Sequence, residues 1–268
     1  MDFADSPPLS RRQAEIVALL RESGRVAVEE LAARFAVTPQ TIRRDLNELS
    51  DARLISRVHG GAIVASGVAN LAYEARKLVA KPHKRLIGEA AARLIPDNSS
   101  LFINIGTTTE EVARALAARA DLLVITNNLN VAMQLYPNRS IDVILAGGSV
   151  RSTDGGIVGT GTVELIRQFR VDTAVIGTSA IDADGTLLDF DIREVHVSRA
   201  IIENARRVVL VTDSSKFSRS APVRIATLAD VDVLVTDHLP GEAAAELCRM
   251  HEVEVIETGG PSETGSDG

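Results

Sequence analysis

The 268-residue chain is short of cysteine, of long apolar runs and of positive charge, and each shortage removes a class of protein. Cys248 is the single cysteine, so no disulfide can form within the chain and nothing implies an oxidising compartment. It lies in a helical pattern and reads as a packing residue. No uninterrupted apolar stretch approaches the roughly 20 residues that a membrane-spanning helix needs. The opening MDFADSPPLSRRQ lacks the basic, apolar, small-residue order of a secretory signal. The chain is therefore expected to act in the cytoplasm without a membrane partner. His59, His83, His196, His238 and His251 show no HxxxH spacing, and there is no CxxC, so neither a metal nor another cofactor is expected. The net charge of −7 argues against a surface that is basic throughout, but the deficit is not evenly spread. Residues 1–85 carry 14 Lys and Arg against 10 Asp and Glu, a net of +4, whereas residues 86–268 carry 15 against 26, a net of −11. Only the front of the chain favours a phosphate backbone.

What is present divides at about the same place. Ile16, Leu19 and Leu20 recur at helical spacing and Gly24 ends that helix. After the short apolar RVAV, the segment EELAARF places Leu31, Ala32 and Phe35 on one face of a second helix. Thr38 suits an N-cap and Pro39 a first helical position, so a third helix starts near Pro39, although the acid of a capping box is missing. LISRVHGGAIVA then reads as strand, Gly60-Gly61 turn and strand. Three helices and a hairpin make a winged helix-turn-helix over residues 1–64, followed by a linker over 65–82. From 83 to 259 helical and apolar-strand segments alternate, and strands such as LLVIT and RVVLVTD are apolar nearly throughout. The expected fold class is α/β, with the N-terminal winged helix-turn-helix followed by a mostly parallel α/β domain. The Gly-, Ser- and acid-rich 260–268 reads as a disordered tail.

In the third helix Ile42, Leu46 and Leu49 define a buried face. Gln40, Arg43, Arg44 and Asn47 then share the opposite face, with Thr38 and Thr41 at the helix start. These residue types carry the donors and acceptors that pair with guanine and adenine edges in a major groove. Arg57 and His59 fall in the hairpin, where a wing would meet DNA. A merely solvated polar face is the bland alternative, but the preceding helix and the following hairpin favour DNA reading.

The second constellation lies at strand C-termini. LFINIGTTTEEV is a strand, a Gly-Thr turn and a helix start. Helix N-terminal amides and the hydroxyls of Thr107, Thr108 and Thr109 suit a phosphate, with Asn104 at the strand end and Gly106 allowing close approach. The turns at Asn127 and Asn128 and at Gly147 and Gly148 open on the same edge, where ligands of open α/β sheets bind. Asp213 and Lys216 in VTDSSKF, and Lys84 with Arg85, offer a hydroxyl acceptor and positive charge. A threonine-capped helix and a local ion pair remain the bland readings.

The segment from Val28 to Val64, with its TIRRDL core and HGGA wing, resembles the DNA-binding part of the DeoR family of bacterial regulators. GTTT, TNN, LAGG, GTSAID and TDSSKF are similar in order and spacing to that family's effector domain, which is related to ribose-5-phosphate isomerase. The resemblance runs from about Leu9 to Thr258. It implies a repressor of carbohydrate-metabolism genes that binds an operator in double-stranded DNA and is released by a phosphorylated sugar. A homo-oligomer, dimer or tetramer, is expected because one recognition helix makes too few base contacts. The alternative is a sugar-phosphate isomerase with an accessory DNA-binding domain. Such isomerases resemble GADEID where this chain has GTSAID, so Ser179 and Ala180 replace carboxylates while Asp182 and Glu194 remain. Proton transfer needs a positioned acid and base set, so binding without turnover is expected.

Overall fold

The computed structural model describes residues 9–23, 25–51, 55–58, 61–63, 73 and 81–259. They form two compact units, one before and one after residue 76. The expected linker lies outside the described residues except at Tyr73, Lys81 and Pro82, and so does the expected tail over 260–268.

The first unit runs α1 (Arg11–Ser23), β1 (Arg25–Ala27), α2 (Val28–Arg34), α3 (Pro39–Asp51), β2 (Ser56–Val58) and β3 (Gly61–Ile63). A reciprocal box starts α1: the Gln13 amide donates to Ser10 Oγ at 3.2 Å and the Ser10 amide to Gln13 Oε1 at 2.9 Å. Thr38 caps α3, its hydroxyl accepting from the Thr41 amide at 3.3 Å, and Pro39 opens the helix. Ile16 and Leu20, Leu31, and Ile42, Leu46 and Leu49 bring the three helices onto one core. RVAV supplies a strand as well as a connection, for β1 pairs antiparallel with β3, which pairs antiparallel with β2. Gly61 does not belong to the turn, because it pairs with both Ala27 and Val58. A Cβ at that position would stand 2.1 Å from the Val26 carbonyl oxygen, so glycine is what admits β1.

The second unit begins with α4 (Lys81–Arg93), β4 (Ser99–Ile103), α5 (Thr107–Leu116), β5 (Leu122–Thr126), α6 (Leu129–Leu135) and β6 (Ile141–Leu145). It continues through β7 (Ser149–Val150), β8 (Ile157–Val158), α7 (Thr160–Ile166), β9 (Val171–Ile176), β10 (Ala180–Ile181), β11 (Thr186–Asp189), α8 (Ile192–Glu203) and β12 (Ala205–Val211). A 3-10 turn (Ser214–Ser218), β13 (Val223–Thr227), a second 3-10 turn (Leu228–Asp230), β14 (Val233–Thr236), α9 (Glu242–Met250) and β15 (Glu254–Glu257) complete it. Pro82 lies in the first turn of α4, where no backbone donor is needed, so that helix starts ahead of the expected boundary.

Seven strands form a wholly parallel sheet in the order β15-β14-β12-β9-β4-β5-β6. Successive side chains serve opposite faces. Leu101 and Ile103 join Val209 and Val211 in one core, while Phe102 joins Val208 and Leu210 in the other. That double burial is why the strands read as unbroken apolar runs. After β6 the chain crosses back to place β9 on the other side of β4, so strand order reverses between β4 and β9. Open α/β sheets leave their crevice outside the strand C-termini at such a reversal. Two smaller antiparallel elements, the β7–β8 hairpin and the β10-β11-β13 sheet, carried no strand expectation. Among the described residues no helix is long and apolar enough to cross a membrane.

Candidate functional site

In the first unit the polar face of α3 is open. Thr38, Gln40, Arg43, Arg44 and Asn47 are exposed and Thr41 is half-buried, while Ile42, Leu46 and Leu49 are fully buried beneath them. The Thr38 hydroxyl is engaged with Thr41 as a cap. Asp45, between the arginines and the core, is buried and takes two bonds from Arg12 of α1, at 2.6 Å from Nε and 3.1 Å from Nη2. That ion pair fixes α3 against α1 and was missed in the sequence. Arg57 falls in β2, but its side chain and the whole of His59 lie outside the described residues.

In the second unit the turn after β4 sits at the strand-order reversal. The Asn104 amide donates to the Val175 carbonyl at 3.1 Å, carrying the β4–β9 register one residue further. Its side chain spans the same gap: Oδ1 accepts from the Gly177 amide at 3.0 Å, and Nδ2 donates to Ser198 Oγ of α8 at 3.4 Å. Asn104 therefore braces the crevice walls. Thr109 is committed as well, its hydroxyl donating to the carbonyls of Asn104 and Gly106 at 2.9 and 2.8 Å. A Cβ on Gly106 would approach that hydroxyl to 3.2 Å.

Ahead of this frame, buried Lys84 reaches across from α4, its Nζ donating to Thr107 Oγ1 at 3.1 Å. Among the described residues no oxygen accepts from the amides of Thr107, Thr108 or Thr109, the first-turn donors of α5. Asp213 caps the 3-10 turn that carries half-buried Lys216. Burial pushes the Asp213 carboxyl up, but the charges of Lys216 and Lys84, with the Ser215 bond, outweigh it and hold the group below the usual carboxylate range. Lys84, Lys216, Asp213 and the α5 N-terminus thus share one electrostatic neighbourhood. Arg85 does not join them, being exposed and paired with Glu89 at 2.9 Å.

The remaining turn residues have other partners. Asn128 caps α6, its Oδ1 accepting from the Asn130 amide at 2.9 Å, and its Nδ2 donates to buried Glu110 at 3.2 Å. Asn127 donates to the Ile157 carbonyl at 3.0 Å, and among the described residues its buried Oδ1 has no partner. Gly147 and Gly148 follow β6, at the sheet edge and two strands from the reversal. A Cβ on Gly148 would fall 2.3 Å from Thr162 Oγ1, so packing alone calls for glycine there.

Sequence reasoning also missed Arg151. It joins the β7–β8 hairpin to the start of α8, with bonds to Asp154 at 2.6 Å, Glu194 at 2.6 Å and Asp191 at 3.1 Å. Burial, then the nearby Asp189 charge, push the Glu194 carboxyl up to about 8 despite Arg151. Ser179 donates to Asp189 at 2.9 Å, while Asp182 is exposed in a turn. The two acids carried over from the isomerase resemblance therefore occupy different settings. Among the described residues no cluster of three or more His, Cys, Asp or Glu could hold a metal.

Comparison with known proteins agrees with both halves. The DeoR-like helix-turn-helix domain matches residues 12–68, and the DeoR C-terminal sensor domain matches residues 80–238. The glycerol-3-phosphate regulon repressor of Escherichia coli K12 is 46% identical over 246 residues, covering 92% of this chain and 98% of that protein. The repressor of the same name from Haemophilus influenzae is 51% identical over 231 residues, covering 86% and 90%. The E. coli transcriptional repressor CsqR is 41% identical over 245 residues, covering 91% and 94%. The ribose 5-phosphate isomerase of Methanocaldococcus jannaschii overlays half of this chain and 53% of its own at a TM-score of 0.38 and 16% identity, too distant to bear on activity. With named repressors matching along nearly its whole length, the chain is no isomerase; it belongs to the DeoR family of DNA-binding transcriptional regulators, a helix-turn-helix joined to a sensor domain.

Proposed function

We propose that this chain represses its target genes from the cytoplasm as a homo-oligomer, reading repeated operator half-sites with α3, and that a small phosphorylated polyol releases it. Gln40, Arg43, Arg44 and Asn47 contact base edges; Thr38, Thr41, Arg57 and His59 position the unit on the backbone. The phosphate sits on the α5 amides at Thr107–Thr109 between Lys84 and Lys216, and Asp213 accepts a ligand hydroxyl. Asn104, Gly106, Asn127, Asn128, Gly147 and Gly148 shape the surrounding turns. The working division is 1–64 for DNA, 65–82 as linker and 83–259 for the ligand.

The observation that carries this reading is the Lys84–Thr107 contact at a helix N-terminus whose Thr107, Thr108 and Thr109 amides have no acceptor among the described residues, placed at the reversal of strand order. The names of the relatives at 46% and 51% identity make glycerol 3-phosphate the first ligand to test. Full-length protein on the duplex it enriches from a randomised pool is titrated with glycerol 3-phosphate, with pentose and hexose phosphates, with glycerol and with inorganic phosphate. Release by one organic phosphate but not by glycerol is the expected result. Indifference to every phosphate overturns the ligand assignment.

A further inference from the structure

On the exposed face of α3 the two neighbouring arginines are held differently. Arg43 stands 4.0 Å from Glu29, a loose pair with both side chains largely in solvent. Arg44, 81% exposed, donates from Nε to Glu48 Oε1 at 3.0 Å. Glu48 is not a free surface carboxylate, because its other oxygen accepts from Gln13 Nε2 at 2.7 Å. Gln13 is buried and cannot turn away, since its Oε1 is occupied by the Ser10 amide in the α1 capping box. A chain of bonds therefore runs from the first turn of α1 to the guanidinium of Arg44.

An exposed pair spaced i, i+4 contributes only about 0.3–0.5 kcal/mol to folding, so stability does not account for this arrangement. Its consequence lies in the geometry of the guanidinium. With Nε engaged, the edge left to this exposed guanidinium for a base is its pair of terminal nitrogens, which suits O6 and N7 of guanine. Glu48 also places a negative charge beside the DNA-facing surface, which penalises binding that relies on phosphate alone.

We propose that Glu48 is a positioning residue for DNA reading: held by Gln13, it aims Arg44 at a base and raises the ratio of specific to non-specific affinity. This rests on the assignment of Arg44 to the DNA-reading face. The test is a double-mutant cycle on the full chain with Glu48→Ala, Arg44→Ala and the double variant, each titrated on the duplex that wild type enriches and on a scrambled duplex of the same composition. Glu48→Ala is expected to lower the specificity ratio at least about threefold while binding to the scrambled duplex holds or tightens. Glu48→Gln, which keeps an acceptor for Arg44, should retain more of the ratio. In the Arg44→Ala background, Glu48→Ala should change the ratio less than it does in wild type, leaving only the effect of the charge. Equal losses in the Ala and Gln variants, or an undiminished Glu48 effect without Arg44, would overturn positioning in favour of charge alone. Should Arg44→Ala itself leave the ratio untouched, the assignment of Arg44 fails; a loss with Arg44→Ala and none with Glu48→Ala overturns only the role of Glu48.

Discussion

Arg43, Lys216 and Glu194 test three different kinds of contribution. Among the described residues Arg43 has only the loose pair with Glu29, so Arg43→Ala should remove little from the fold. If it pairs with guanine, the variant lowers affinity for the enriched duplex by about 1–3 kcal/mol and relaxes preference at one base position. Lys216→Ala should leave DNA binding intact and weaken ligand release; a loss of both in the same titration would assign Lys216 a folding role. Glu194 titrates in the opposite sense from an ordinary ion-paired carboxylate. Its folded value of about 8 exceeds the ordinary carboxyl value of 4.5. The folded chain then holds the extra proton, so the associated stability is present below the lower value and lost as pH rises through about 8. Glu194→Gln should therefore gain melting temperature relative to wild type between pH 6 and pH 9, and a constant difference across that range would refute the upward shift.

Elements turn these side chains into surfaces. The recognition helix presents its polar face because three fully buried residues, Ile42, Leu46 and Leu49, lock its other side, and because Arg12 holds Asp45. Removing Arg12 leaves a buried carboxylate without that partner. Arg12→Ala is expected to destabilise the chain by about 2 kcal/mol, below the ~3–5 kcal/mol of a fully buried pair, because a third of Arg12 meets solvent. Thermal or urea unfolding measures it, and a change below about 0.5 kcal/mol would class the pair with ordinary surface salt bridges. The first turn of α4 has a comparable position in the second unit. It carries Lys84 onto Thr107 and His83 onto Asp237 at 2.9 Å, immediately after the segment leading from the first unit. The apolar faces and the Pro39 start of α3 were legible because they follow helical periodicity. Gly61 was misplaced because its reason is the approach of β1, a strand distant in sequence.

For the whole molecule, ligand and DNA are coupled only if the ligand binds the two DNA-binding states unequally. The uneven charge, +4 before residue 86 and −11 after it, leaves phosphate attraction to the front of the chain. Affinity for a scrambled duplex should fall steeply with added salt, whereas ligand affinity should respond less under the proposal that buried Lys84 and fixed amides hold the phosphate. Parallel salt titrations check this, and equal slopes would count against a sheltered phosphate site. The proposed oligomer is open to direct measurement by sedimentation, in which a monomer that still discriminates between duplexes would remove the half-site argument.

The amino-acid order by itself determined the two-part plan, the parallel sheet and the faces of the recognition helix, because each follows from a local period: 3.6 residues for helices, continuous apolar runs for doubly covered strands. It also marked the Gly-Thr turn and the Asp213–Lys216 segment as chemistry. Only the tertiary structure decided which polar residues brace the frame. Asn104, Thr109 and Asn128 stood out as ligand groups, and strands and helices far apart in sequence also converge on them and engage their hydrogen bonds. Arg151 with its three carboxylates, and the chain of bonds from Ser10 to Arg44, exist only once separate segments pack together. A side chain's partners are set by where the chain returns, and no local pattern encodes that.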